Sequence, residues 1–127
     1  MTAIITKLTP QDHVAHDPAP IARIFREMDA DSAEKVVNRA LGELALSVAA
    51  LSKQVAASEL SEAPRQLRRL ARMADHLGMT TLAHTARDAD HCLDHADATA
   101  FGAVWARLLR IAGSQIAAGE TQRGRRV

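Results

Sequence analysis

The stretch that most constrains the fold runs from Leu60 to Ala96. Apolar residues fall at 60, 63, 67, 70, 74 and 77 (Leu, Ala, Leu, Leu, Ala, Leu). Alternating steps of three and four keep one face of an α-helix dry over about five turns. Leu77-Gly78-Met79-Thr80 then reads as a turn. Gly78 suits a left-handed residue closing one helix, and Thr80 can accept a backbone N–H to start the next. A second limb carries Leu82, Ala86, Ala89 and Leu93, spaced four, three and four. The spacing predicts a hairpin of two helices on which the rest of the chain packs.

Composition supports an all-helical answer. Ala, Leu and Val dominate, and only Phe25, Phe101 and Trp105 are aromatic, with no Tyr, so the residue types that a sheet favours are scarce. At 127 residues the length fits one domain able to bury a core without disulfides or metals. The single Cys92 excludes an internal disulfide and a cysteine-rich zinc site. A formal net charge of +1 gives no global sign of a nucleic-acid partner. Met1 to Lys7 does not resemble a signal peptide, and no stretch approaches the roughly 20 apolar residues of a membrane span. The expectation is a cytoplasmic protein with neither a nucleic-acid nor a membrane partner.

Residues 1–19, with Pro10 and Pro18, are expected as an extended arm in which His13 and His16 are solvated. Pro20 fits a first-turn position, and Ile21, Ile24, Phe25 and Met28 form the stripe of a short helix ending near Asp29. Asp31, with Glu34 three residues on, is expected to cap a long helix from Ser32 to Ala57. Its stripe is Ala33, Val37, Ala40, Leu44, Val48, Leu51 and Val55, with Gly42 expected as a close-approach point between helices. Ser58 or Ser61 should cap the next helix, with Pro64 in its first turn. After the hairpin, Asp97 can cap a last helix carrying Phe101, Val104, Trp105, Leu108, Leu109, Ala112 and Ile116. That helix should fray towards Gly119, leaving 119–127 as a disordered basic tail after a single helical domain over 20–118. Short links make successive helices antiparallel. The expected fold is all-α: an up-down antiparallel four-helix bundle with a short N-terminal lid helix.

Two constellations could carry chemistry. Arg65, Arg68, Arg69 and Arg72 share one flank of the helix before the turn, a compact positive surface suited to carboxylate or phosphate groups. The plainer reading is a solvated face with Glu62 and Asp75 as local partners. No aromatic residue interleaves the arginines, which argues against stacking on nucleic-acid bases. On the next helix, His84, Asp88, His91 and His95 fall in one line about 200° from the apolar stripe and so face solvent. His91 and His95, four apart, could chelate a metal, although two ligands on an open surface make an adventitious site. His76 fits a helix-end residue facing free carbonyls, and Cys92 a small buried hydrophobe. No phosphate loop or nucleophile motif is present, so no cofactor is expected.

From about Ile21 to Ala118 the chain resembles a histidine phosphotransfer (Hpt) domain of bacterial phosphorelays. Leu70, Ala74, Leu77, Gly78 and Leu82 sit where that pattern wants apolar and turn residues, and the short Asp97 link also matches. The resemblance implies a lid helix on a four-helix bundle and, as partner, a response-regulator receiver domain or a histidine kinase. Counted back from Leu77-Gly78, the phospho-acceptor position falls on Arg68, and the Lys and Gly that follow it in the pattern fall on Ala71 and Arg72. An arginine stays protonated and offers no lone pair, so it cannot act as the relay's nucleophile. Three readings follow. In the first, a module docks a receiver or kinase through Arg65, Arg68, Arg69 and Arg72 without relaying phosphate. In the second, His84 or His76 is a displaced acceptor. In the third, a helical bundle oligomerises, as a homodimer for instance, or binds metal through its histidine face.

Overall fold

The structure, a computed structural model, describes residues 13–124, and of residues 120–124 the backbone only. It contains helices α1 (Ala19–Glu27), α2 (Ala30–Ala56), α3 (Ala63–His76), α4 (Thr80–Asp94) and α5 (Ala98–Gly124), with no strand among the described residues. The expected all-helical fold class is therefore observed.

The cap of α2 is Asp29, not Asp31. The Asp29 carboxylate accepts from Ser32 N and from Ser32 Oγ, each at 2.9 Å, and so satisfies one of the free donors of the first turn. Those two bonds, the backbone one first, hold the Asp29 carboxyl below its ordinary value. Asp31 lies inside the first turn and pairs with Lys35 at 3.3 Å. Helix α3 begins after Glu62, with Pro64 in its first turn and no side-chain cap, so neither Ser58 nor Ser61 takes that role. Thr80 does not cap α4 either: Met79 stands at the cap, and the Thr80 hydroxyl donates back to Gly78 O at 3.4 Å. Asp97 does cap α5, its Oδ1 accepting from Ala100 N at 3.0 Å.

Three helices end in the same way. After α2, α3 and α4 a left-handed residue (Ser58, φ 57°; Gly78, φ 73°; Ala96, φ 52°) lets two N–H groups reach back to the last turn. The pairs are Glu59 N to Gln54 O and Ser58 N to Val55 O; Met79 N to Ala74 O and Gly78 N to Asp75 O; Asp97 N to Cys92 O and Ala96 N to Leu93 O. This is the six-to-one, five-to-two closure of a Schellman motif. The sequence reading finds only the glycine example.

The two limbs of the hairpin, α3 and α4, pack on each other along their full length. Helix α4 also packs on α5, α2 packs on both α3 and α5, and α1 lies on α2 and α3. Leu44 and Leu51 of α2, Leu67 and Leu70 of α3, Leu82 of α4, and Leu108 and Ile111 of α5 are fully buried. Ile111 takes the inner position that the sequence reading assigns to Leu109, which is exposed. Phe101 and Trp105 are buried on α5 with near-parallel rings 6.2 Å apart. Thr85 is fully buried and donates its hydroxyl to Thr81 O at 2.7 Å, one turn back, so that hydroxyl is not stranded.

Gly42 is not a close-approach point. It is exposed on the outer side of α2, and a Cβ built there meets nothing within 4 Å. Gly119 is the close one, 3.1 Å from a Leu41 methyl in the same test, and α5 continues through it to Gly124 instead of fraying. Residues 125–127 of the expected tail, and residues 1–12 of the expected arm, lie outside the described residues.

The described part of the arm, residues 13–18, is exposed apart from Val14, with His13 and His16 both exposed as expected, yet it is tied to the hairpin turn by hydrogen bonds. Asp17 N donates to Gly78 O at 2.7 Å, Ala15 N to Thr81 Oγ1 at 2.6 Å, and Thr81 N to Ala15 O at 3.4 Å. His16 Nε2 donates to Leu77 O at 3.2 Å. The carbonyl at the end of α3 is thus served by His16 from the arm, whereas His76 is exposed and makes no side-chain hydrogen bond among the described residues.

Candidate functional site

The arginine flank occupies the exposed side of α3, because Leu67, Leu70, Ala71 and Ala74 turn the opposite side into the core. Its four members differ in what holds them. Arg65 is tied to Glu62 within its own helix end, at 2.9 Å through Nη2 and 3.0 Å through Nε. Arg68 reaches across to α4, where its Nη1 lies 3.4 Å from both carboxylate oxygens of Asp90. Asp90 is the less exposed partner, with 22% of its side chain accessible against 55% for Arg68. Arg69 and Arg72 are exposed and have no hydrogen-bond or ion-pair partner among the described residues. Three apart on one helix, they are surface neighbours.

Asp75 does not serve this flank as the sequence reading supposes. It pairs instead with Arg87 of α4. The Asp75–Arg87 and Arg68–Asp90 pairs therefore lace α3 to α4 at two levels, with the acid on α3 in one and on α4 in the other. Around the Arg68–Asp90 pair a shallow polar recess is lined by Pro64, Arg68, Arg87, Asp90, His91 and Asp94 among others. Asp90 and Arg87 escape the sequence reading. The signal that could have found them is register: in an antiparallel hairpin, residues whose numbers sum to a similar total lie within about a turn of each other, which brings both pairs within reach of long side chains.

His84, Asp88, His91 and His95 are all exposed on α4, as the spacing requires. The rings of His91 and His95 lie 4.0 Å apart, tilted by 39°. His95 Nδ1 donates to His91 O at 2.9 Å, so one ring nitrogen is taken up by its own helix end. Among the described residues no group of three or more His, Cys, Asp or Glu side chains is arranged to hold a metal ion. Cys92 is half-buried against the core. Among the described residues no helix is long and apolar enough to cross a membrane.

The geometry therefore offers a class of site, a basic helix flank on which, among the described residues, Arg69 and Arg72 have no committed acid. No family model, curated protein or solved structure matches the chain.

Proposed function

We propose that α2 to α5 form an up-down antiparallel four-helix bundle with α1 as its lid. On this reading the chain is an Hpt-like signalling module that docks an acidic partner, a response-regulator receiver domain or a histidine kinase, without relaying phosphate. The bundle reading rests on the pairwise packing of α3 on α4, α4 on α5, and α2 on α3 and α5, together with the short links that make neighbours antiparallel. It belongs to a cytoplasmic signalling context, with neither nucleic acid nor membrane as partner.

The observation that carries the docking reading is the pair Arg69 and Arg72, exposed beside Arg68 with no acid committed to them among the described residues. Arg68 holds the position where the Hpt pattern has its nucleophile. It offers a fixed positive charge there and no imidazole, and Asp90 keeps it in place. Such a flank complements a carboxylate-lined phosphorylation site and suits holding over transferring. Function resides in the site more than in the bundle, and here the acceptor is replaced.

The test is a paired assay with radiolabelled phospho-receivers from the same genome, following binding and label together. Binding without label, weakened about tenfold or more by Arg69→Glu with Arg72→Glu, is the expected result. Tight binding that ignores both substitutions would overturn it. A second reading has one observation in its favour: His76 and His84 are both solvent-accessible. Label on the chain that disappears in His84→Ala or His76→Ala would establish a displaced acceptor. Absence of both binding and label with every receiver would remove the receiver reading and direct the same assay to kinases.

A further inference from the structure

The basic row on the outer side of α3 is one residue longer than its arginines. Arg65, Arg69, Arg72 and His76 follow one another at steps of four, three and four, so they form a single exposed line along the helix. Arg68 lies beside that line and reaches to α4. The hairpin already shows how this face treats carboxylates. Glu62 takes Arg65, Asp90 takes Arg68 and Asp75 takes Arg87, one arginine to each acid. Two arginines of the row are left over. Arg69 and Arg72 have no acid among the described residues, and helical spacing puts their Cβ atoms about 5–6 Å apart. His76, one turn beyond Arg72, is exposed and makes no side-chain hydrogen bond among the described residues.

We infer that Arg69 and Arg72 form a site for a phosphoryl group carried by the protein partner, with His76 as a further donor at its edge. Such a site presupposes the docking on α3 proposed above and adds its regulation: binding follows the partner's phosphorylation. One guanidinium fork already matches a carboxylate, in charge and in its two oxygens. Two forks side by side exceed it. A phosphoryl group carries a charge of about −1.5 to −2 and three terminal oxygens, so it is the anion that can occupy both. Glu62, Asp90 and Asp75 are each engaged with another arginine and do not compete for the pair. A polynucleotide also presents phosphates, but its bases want aromatic side chains to stack on. The row has none, and Phe101 and Trp105 are buried on α5.

The experiment follows the arginine Nε–H signals of the full chain by NMR during titration with phenyl phosphate and, separately, with benzoate, a carboxylate on the same ring. Arg69 and Arg72 should respond together, at about tenfold lower concentrations of phenyl phosphate than of benzoate, while Arg65 and Arg68 move little. Equal response to the two ligands, or equal response of all four arginines, would overturn the site. Arg69→Lys with Arg72→Lys keeps both charges and removes both forks, on an exposed face where folding is not at stake. The preference for phosphate should vanish in that variant, and its survival would show that charge alone is read. A second arm takes any receiver that binds the chain and compares its phosphorylated and unphosphorylated forms by calorimetry. The phosphorylated form should bind about tenfold tighter or more. Equal affinity would sink the phosphoryl site and leave docking on α3 intact. If no receiver binds, the docking reading fails, and the phenyl phosphate titration alone decides for or against the site. A random-sequence DNA duplex that bound as tightly and with the same sensitivity to the lysine substitutions would also overturn it, since backbone phosphates would then be the ligand.

Discussion

Three left-handed residues close three helices, and only one of them is a glycine. Ser58 and Ala96 hold a backbone conformation in which a Cβ crowds the following carbonyl, at about 1–2 kcal/mol each. Ala96→Gly should therefore raise stability by about 1 kcal/mol in urea unfolding, because the motif's two hydrogen bonds survive the change. Gly78→Ala should do the reverse and lose about 2 kcal/mol or more. It adds the same crowding and also drives a methyl into the Asp17 carbonyl oxygen, which would lift the arm from the turn. Gly42 supplies the contrast: with open space around it and ordinary helical geometry, Gly42→Ala should gain about 1 kcal/mol. Asp29 gives a pH signature. Its carboxyl is held below the ordinary aspartate value, so the folded state binds that proton less readily than the unfolded chain does. Its contribution is complete above the ordinary value and is lost as pH falls through the lower folded one. Asp29→Asn keeps the capping oxygen and should remove this acid-range component from a plot of melting temperature against pH.

At the scale of elements, the hairpin is held by its dry face more than by its laces. Leu67 and Leu82 are fully buried, so truncating either to Ala should lose about 2–5 kcal/mol. Asp90→Ala should lose less than about 1 kcal/mol, because its partner Arg68 is more than half exposed and such pairs are weak in water. Chemical denaturation of the variants checks the ordering. The same division explains what the sequence discloses. The stripe from Ala63 to Leu77 is legible because periodic burial is a local pattern, and so is the cap at Asp97, whose choice of partner is three residues away. The cap of α2 is misread because Asp29 and Asp31 both meet the local rule. The winner is fixed by where the chain leaves α1, which is a matter of packing. Asp90 and Arg87, and the docking of Ala15 to Asp17 on the turn, depend on which elements lie side by side. A residue-type pattern carries that only once the hairpin register is known. For the candidate site, the arginine flank itself is legible, but the split between tethered Arg65 and Arg68 and uncommitted Arg69 and Arg72 is not.

For the whole molecule, most packing joins helices adjacent in the chain, and α2 against α5 is the long-range closure. Little loop entropy has to be lost before most contacts form, which predicts refolding on the millisecond scale or faster in stopped-flow mixing. A refolding time of seconds would show that closing α2 on α5, and not the local hairpin, limits the rate. The buried Trp105 beside Phe101 has an optical consequence. With no Tyr and a single Trp in the chain, intrinsic emission excited at the red edge comes from one indole on the inner face of α5. Helix α5 lies directly beside α4 and α2, and the arginine flank is on the exposed side of α3, away from the core that holds Trp105. A tryptophan-free ligand seated on the arginine flank should leave that colour unchanged, whereas unfolding should shift it to the red. One fluorescence trace can therefore separate occupancy of the outer flank from loss of the core.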